Sequence, residues 1–368
     1  MVYTVGQVIF AAAGSGVGRR PRKSGCRAAC GENPAVALPI SVVIPTFNRA
    51  HLIERSIRSA LAAMAPSDEL IVADDGSTDG TDVLMAKWAD RLRYLKLPHG
   101  GAGPARNGGL RAAKHTLVSY LDSDDEWFPD ILTLQRTVMG ARPDLTYVFS
   151  DFAVKDEQGV LHRRYLPRWQ ERPRPLAEVL GPGAPFSTYG ALPPGRDDFP
   201  VHIGDLYPAE LDDNFVATFT FCVRRGTAHD ELAFVEDLPF CEDWEYFARL
   251  AKAGPVAFLD TETATQHGHA GPRLTKTDPY VIAGARIRMI ERVWGKDEAF
   301  LSTHGDAYDA TITRLRIVRA KRCLTRGEVK EARAELRAAK RAPLTLRALA
   351  HLPGPLVRLA LSALTDRA

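Results

Sequence analysis

The chain has 368 residues, 45% of them apolar and 25% charged, and its 48 basic and 45 acidic residues leave a formal charge of +3. These are the proportions of a soluble globular protein with one large domain or two modest ones. Five cysteines, odd in number and without a tight pairing pattern, exclude a disulfide framework. The absence of any run of eighteen apolar residues excludes a transmembrane helix. Reduced thiols, a cytoplasmic location and no nucleic-acid partner are the expectation.

Residues 1–38 are rich in Gly, Ala and Arg and lack periodicity, so a loosely ordered tail is expected. Arg19, Arg20, Arg22 and Lys23 follow the small apolar segment Val8–Val17 instead of preceding it, the wrong order for a secretory signal. Gly14-Ser15-Gly16-Val17-Gly18 fails as a dinucleotide loop, because Arg19 stands where the third glycine belongs and no helical pattern follows. Cys26 and Cys30 lie four apart, but no second Cys/His pair follows at zinc spacing.

From Ile40 the pattern tightens. Ile40–Ile44 reads as a short buried strand stopped by Pro45, and Asn48 as the cap of a helix carrying Leu52, Ile53, Ile57, Ala60 and Leu61 at helical spacing. A second strand, Glu69–Ala73, ends in the turn chemistry of Asp74-Asp75-Gly76-Ser77-Thr78-Asp79-Gly80. A helix over Thr81–Ala89, a strand over Arg93–Leu97, the flexible loop Gly100–Gly103 and a helix from Pro104 to about Lys114 follow. Strands alternating with helices imply an α/β fold with a doubly wound, mainly parallel sheet, and right-handed crossovers put the strand-end loops on one edge.

The apolar run Leu117–Leu121 then meets Asp122-Ser123-Asp124-Asp125, three carboxylates in four residues at the ligand-binding edge of such a sheet. Carboxylates packed this closely repel one another and resist desolvation, and a hard divalent cation, Mg²⁺ or Mn²⁺, compensates them best. That cation usually shares its coordination sphere with a phosphate. The alternative is a helix cap, with Asp125 ahead of a segment starting near Trp127. Asp74 and Asp75 should meet this cluster at a single crevice. Prolines crowd residues 160–215, an irregular excursion of the kind that forms lids and binding loops. Regular pattern resumes with an alternating strand over Phe215–Arg224 and a helix over Trp244–Ala253, which Glu242-Asp243 precedes.

Four motifs, Val42-Val43-Ile44-Pro45-Thr46-Phe47-Asn48-Arg49, Val72-Ala73-Asp74-Asp75-Gly76-Ser77-Thr78-Asp79, Ala105-Arg106-Asn107-x-Gly109 and Leu121-Asp122-Ser123-Asp124-Asp125-Glu126-Trp127, closely resemble family 2 glycosyltransferases of GT-A fold. The resemblance is tight over about 39–150 and looser to about 270 through Phe240–Glu245. It implies a nucleotide pocket lined by Thr46 and Asn48 and shaped by Pro45, with Asp74 beside it and Asp75 reading the nucleobase. Asp122 and Asp124 resemble a D-x-D pair, Asp122 toward ribose or metal and Asp124 as principal metal ligand, assisted by Asp125. Arg106 and Asn107 border the donor site, Asp243 resembles the catalytic base with Glu242 nearby, and His267 resembles a histidine at the metal or diphosphate. Plainer readings stand beside these: Asp74, Asp79 or Asp243 as helix caps, Asn107 bonded to loop backbone, His267 and His269 as solvated loop histidines.

The implied reaction is inverting transfer from a UDP- or dTDP-type sugar to a hydroxyl on a glycan, lipid-linked or other acceptor, in bacterial surface-glycan or glycoconjugate synthesis. The alternatives are a non-catalytic sugar-nucleotide-binding protein on the same fold or a nucleotidyltransferase. The implied layout is a tail over 1–38, a catalytic domain over 39–275 divided near 150, and a basic helical region over 276–368. Twelve Lys/Arg against three Glu lie between Arg314 and Arg347. Either this region packs as helices on the catalytic domain, or its basic face rests on an anionic membrane, at the inner face of the plasma membrane.

Overall fold

The computed structural model describes residues 38–225, 233–238, 240–268, 278–343 and 348. The chain divides into two units, residues 1–33 and 34–368. The glycine loop at 14–18, Cys26, Cys30, His269 and the leucine-rich segment after 348 lie outside the described residues.

Chain order in the second unit begins β1 (Ile40–Thr46), α1 (Ile53–Ala63), β2 (Glu69–Asp74), α2 (Thr81–Ala86), β3 (Arg93–Lys96), α3 (Ala102–Ala112) and β4 (Leu117–Tyr120). It continues with β5 (Glu126–Trp127), α4 (Ile131–Ala141), β6 (Tyr147–Lys155), β7 (Leu161–His162), α5 (Leu166–Trp169), α6 (Leu176–Leu180), β8 (Ala184–Pro185) and β9 (Pro200–Gly204). After β10 (Cys222–Arg224) come α7 (Glu242–Ala253), β11 (Val256–His267), α8 (Pro279–Val293), α9 (Glu298–Thr325) and α10 (Val329–Ala338). The strands form one mixed sheet in the order β3-β2-β1-β4-β10-β6-β11-β9-β8, with β5 paired to β11 and β7 to β6.

The expected parallel half is present: β3, β2, β1 and β4 pair in parallel, as do β6 and β11. The buried strands β1 and β4 read as apolar runs because helices cover both faces of such a sheet. β10, however, lies antiparallel between β4 and β6. Only its three residues join the ladder. Phe215–Cys222 is buried throughout, so the expected alternation is replaced by continuous core with a 3-10 turn at Thr218–Thr220. The proline-rich excursion likewise contributes β9, antiparallel to β11.

Other local expectations are corrected. β1 does not stop at Pro45 but runs to Thr46, with Pro45 in register with Ala73 of β2. In a parallel ladder alternate residues bond opposite neighbours. Val43 accepts from Leu121 on the β4 side (3.0 Å), so Pro45, of the same parity, lacks its N–H where β4 has already ended. α1 begins at Ile53, and Asn48 is not its cap. α3 starts two residues before Pro104, which sits in the first turn, where the N–H has no helical partner to lose. Asp125 caps no helix: Glu126–Trp127 pairs with β11, and the following helix begins at Ile131.

The C-terminal helices pack on one another, α9 against both α8 and α10. Their basic side chains meet acidic partners: Arg314 faces Asp212 and Glu171, Arg316 and Arg319 reach Glu335, and Arg322 and Arg326 hold Asp278. No helix among the described residues is long and apolar enough to cross a membrane.

Candidate active site

The carboxyl ends of β1, β2, β3 and β4 share one edge. Thr46 stands abreast of Asp74, Asp74 abreast of Lys96, and Val43 abreast of Tyr120, two residues short of Asp122. Three loops at this edge form a cradle. Asn48 adopts a left-handed backbone (φ 52°), its Oδ1 accepts from the Thr78 amide (2.9 Å), and its own amide donates to Ser77 Oγ (2.9 Å). Asn is among the few residues that enter this conformation at low strain. Asp79 accepts from the Thr81 amide and hydroxyl (3.2 and 2.6 Å), the cap-like role expected of it, and also from the Ala50 amide (2.8 Å). Asp74 is fully buried and takes bonds from the Ser77 amide (2.8 Å) and the Tyr94 hydroxyl, so it braces the turn from beneath. Burial and this carboxylate together push the Tyr94 hydroxyl well above its usual range. Thr46 Oγ1, by contrast, is buried beside the cradle with no hydrogen-bond partner among the described residues.

Asp75 sits at the mouth of the cradle. The Gly100 amide donates to its Oδ1 (2.7 Å), and the Gly101 amide and His99 Nδ1 reach its Oδ2 (both 2.8 Å). Gly76, at φ 78°, makes the turn that brings this loop close.

Farther along the edge, Arg106 of α3 joins two distant elements. One guanidinium nitrogen donates to Glu242 at the start of α7 (2.9 Å) and the other to Asp122 after β4 (3.3 Å). Burial works against the Arg106 charge, but Asp122, Glu242 and Asp243 outweigh it and hold the group above its usual range. Burial pushes Asp122 up, opposed by Arg106 and reinforced by Asp124. Burial and the charge of Asp243 do the same to Glu242. Acid therefore exceeds base in this cluster, and a bound cation is the natural complement. α7 opens at Cys241 in a left-handed conformation (φ 64°), with Asp243 inside its first turn. Asp243 Oδ1 accepts the Trp244 amide (2.7 Å), and Oδ2 faces the Thr218 hydroxyl (3.3 Å).

The four-residue metal set Asp122, Asp124, Asp125 and His267 is not brought together: among the described residues, no three His, Cys, Asp or Glu side chains converge as a metal cage. Asp125 is buried and turned to the His267 amide (3.1 Å), while His267 Nε2 meets Glu126 (3.0 Å). Asp122 and Asp124 keep side chains 28% and 25% exposed, with Arg106 3.3 Å from the first and Arg49 4.0 Å from the second, so a cation here would need further oxygens from a ligand such as a diphosphate. Asn107 follows the plainer of its two expected readings, bonded to loop backbone. Its amide is buried, bonding the Phe234 amide and carbonyl (both 2.8 Å) and Glu236 (2.9 Å), so it pins residues 234–236 onto α3 instead of facing the pocket.

Several partners here carry no local sequence signal: Glu236, Thr218, Tyr94 and His99 become visible only through contacts. A cleft of about 670 Å³ lies apart from the cluster, lined among others by Phe128, Asp130, Arg164, Arg196 and Asp260.

Residues 41–190 match the family model for glycosyl transferase family 2. The putative teichuronic acid biosynthesis glycosyltransferase TuaG of Bacillus subtilis is 36% identical over 124 residues, 33% of this chain and 49% of that protein. The UDP-Glc:α-D-GlcNAc-diphosphoundecaprenol β-1,3-glucosyltransferase WfgD of Escherichia coli is 28% identical over 131 residues, 35% of this chain and 51% of that protein. The chain thus spans about half the length of these two relatives, and 31% of an uncharacterized glycosyltransferase of Rickettsia prowazekii. Among solved structures, S. aureus TarS 1–349 in complex with UDP-GlcNAc has a TM-score of 0.50 at 16% identity, covering 81% of this chain and 88% of that one. The mannosyltransferase PcManGT of Pyrobaculum calidifontis, in complex with GDP-Man and Mn²⁺, has a TM-score of 0.50 at 18% identity, covering 89% and 80%. With the strand-end aspartates, the sheet and the sequence match in agreement, residues 41–190 belong to glycosyl transferase family 2, carried on a GT-A fold.

Proposed function

We propose that the protein is an inverting, metal-assisted glycosyltransferase that moves a sugar from a UDP- or dTDP-type donor to an acceptor hydroxyl in surface-glycan or glycoconjugate synthesis. The observation that carries this reading is the Arg106 bridge. One guanidinium touches both Asp122, of the strand-end cluster, and Glu242, the neighbour of Asp243. A candidate cation-binding carboxylate and a candidate base therefore share one electrostatic site, although Asp122 and Asp243 lie 121 positions apart in the sequence.

In this reading Thr46 and Asn48 border the nucleotide and Asp75 accepts the N–H of its base. Asp122 and Asp124 would hold Mn²⁺ or Mg²⁺, which when bound supplies positive charge to the diphosphate leaving group. Oδ1 of Asp243 is taken by its neighbour's amide, and Oδ2, which accepts from the Thr218 hydroxyl at 3.3 Å, keeps a further lone pair to receive the acceptor proton. As that proton leaves, the acceptor oxygen forms its bond to the anomeric carbon. The bond from that carbon to the diphosphate oxygen breaks, with its electron pair going to the leaving group. A single displacement inverts configuration and requires no second nucleophilic carboxylate. The relatives named above support a surface-glycan setting, and WfgD, whose name carries a diphosphoundecaprenol acceptor, supports a lipid-linked one.

The test measures release of nucleoside diphosphate from nucleotide sugars with Mn²⁺ and candidate acceptors. Release abolished by chelator supports the reading. Asp243→Asn should retain donor binding while turnover falls by about 10²-fold or more, the scale of a lost general base; near-normal turnover would overturn the assignment of the base. Donor binding without turnover under every acceptor condition would favour a binding protein.

A further inference from the structure

We propose that His99 is a built-in stand-in for the nucleobase, so that the donor must displace its ring to reach Asp75. This rests on the nucleotide-sugar reading of the site. The Asp75 side chain is 4% exposed, whereas that of His99, which lies against it, is 61% exposed. Two of the three groups holding the Asp75 carboxylate are amides of Gly100 and Gly101, fixed by the loop. The third is the His99 ring, through Nδ1 at 2.8 Å. That ring also stacks on Phe47, with centroids 4.2 Å apart and planes 18° from parallel, and Phe47 is itself 41% exposed. The stack leaves an aromatic face open beside the Asp75 carboxylate, the pair of partners that a flat, hydrogen-bonding ring would use.

The chemistry of the mimicry is specific. A ring N–H points at a carboxylate while the ring face lies on an aromatic. A uracil-type base would satisfy the same two partners with its imide N–H and its own face. The vacated space is that of one small ring, which suits a pyrimidine better than a purine. His99 thereby keeps the buried Asp75 paired when no donor is present, and it competes with every donor that arrives. A site whose competent state is only partly populated binds more weakly by that fraction, so removing the competitor tightens binding.

The experiment is calorimetric titration of the full chain and of His99→Ala with UDP, GDP and methylene diphosphate, all with Mn²⁺. His99 is exposed and outside any helix or strand, so the variant should fold. His99→Ala should bind UDP about fivefold more tightly, the scale of one net hydrogen bond. Methylene diphosphate, which has no base, should bind both proteins equally, and the wild type should prefer UDP to GDP. Equal or weaker UDP binding by His99→Ala overturns the proposal, as does a wild-type preference for GDP or an equal gain for methylene diphosphate. If no nucleotide binds either protein, the donor reading itself fails, an outcome distinct from UDP binding both proteins alike.

Discussion

At the residue scale the site turns on Arg106. A buried guanidinium shared between Asp122 and Glu242 is worth little as a net attraction, because desolvation offsets most of the Coulomb gain. Its removal is another matter, since it strands carboxylates that burial already disfavours. Arg106→Met should therefore destabilise the fold by about 3–5 kcal/mol, measured by urea denaturation. Adding Glu242→Gln should recover part of that loss by removing one stranded charge. A single variant as stable as the wild type would show that the bridge is not formed in solution. The residue itself was legible, since its motif marked it as bordering a donor site. Its partner was not: Glu242 lies 136 positions away, and no local pattern predicts a pairing across that distance. Asn107 shows the converse. Its motif pointed to the pocket, but its amide is taken by Phe234 and Glu236, residues that carry no signal of their own.

At the scale of elements, Arg106 is positioned by the close seating of its own helix, through Gly109 one turn further on. A Cβ added at Gly109 would lie 2.2 Å from Val43 Cγ1, so α3 approaches β1 more closely than any other residue would allow. Two effects oppose each other in Gly109→Ala. Helix propensity favours alanine by about 1 kcal/mol. Overpacking against a β-branched residue in a fully buried strand costs about 1–3 kcal/mol, and at 2.2 Å the upper part of that range applies. The net expectation is a loss of about 1–2 kcal/mol, with the midpoint of thermal unfolding as the readout. Val43→Ala in the same chain should relieve the clash, so the two substitutions together should destabilise by less than the sum of their separate effects. Strict additivity would sink the close-approach argument. This helix and the parallel strands around it could be read from sequence because their apolar periods are local. β10 was read only in part, because the strand expected over Phe215–Arg224 joins the ladder only at Cys222–Arg224 while Phe215–Cys222 is buried throughout, and β9 was not read at all, since it lies among prolines that resemble a loop. The aspartate cluster was half legible for a similar reason. Three aspartates in four residues announce a charged site, but only the β5–β11 pairing turns Asp125 away to the His267 amide.

At the scale of the whole molecule, Arg314, Arg316, Arg319, Arg322 and Arg326 of the basic C-terminal stretch face acids of the protein itself. Arg314 lies against Glu171 and Asp212, which precede β10, so α9 is bound electrostatically to the sheet-bearing part of the chain. Asp278 closes the other end. Its carboxylate caps α8 at the Tyr280 amide (2.8 Å) and receives Arg322 of α9 (2.9 Å) and Arg326, which follows that helix. Arg322 first, then the Tyr280 amide and Arg326, hold Asp278 down to about 2. An unfolded chain takes up this proton near pH 3.9. The folded group therefore stays ionised where the unfolded one does not, and its contribution to stability is complete above about pH 4 and lost as pH falls toward 2. Ion pairs this exposed are also screened by salt, with a Debye length of about 3 Å at 1 M. Asp278→Asn removes the charge at every pH. Its melting temperature should fall below that of the wild type at pH 5–7, and the gap should narrow through pH 4–2 and shrink again when 1 M NaCl is added at pH 6. A gap that stays constant from pH 6 to pH 2.5 would mean that Asp278 holds α8 and α9 together by packing or capping alone, and that charge plays no part in docking the C-terminal helices.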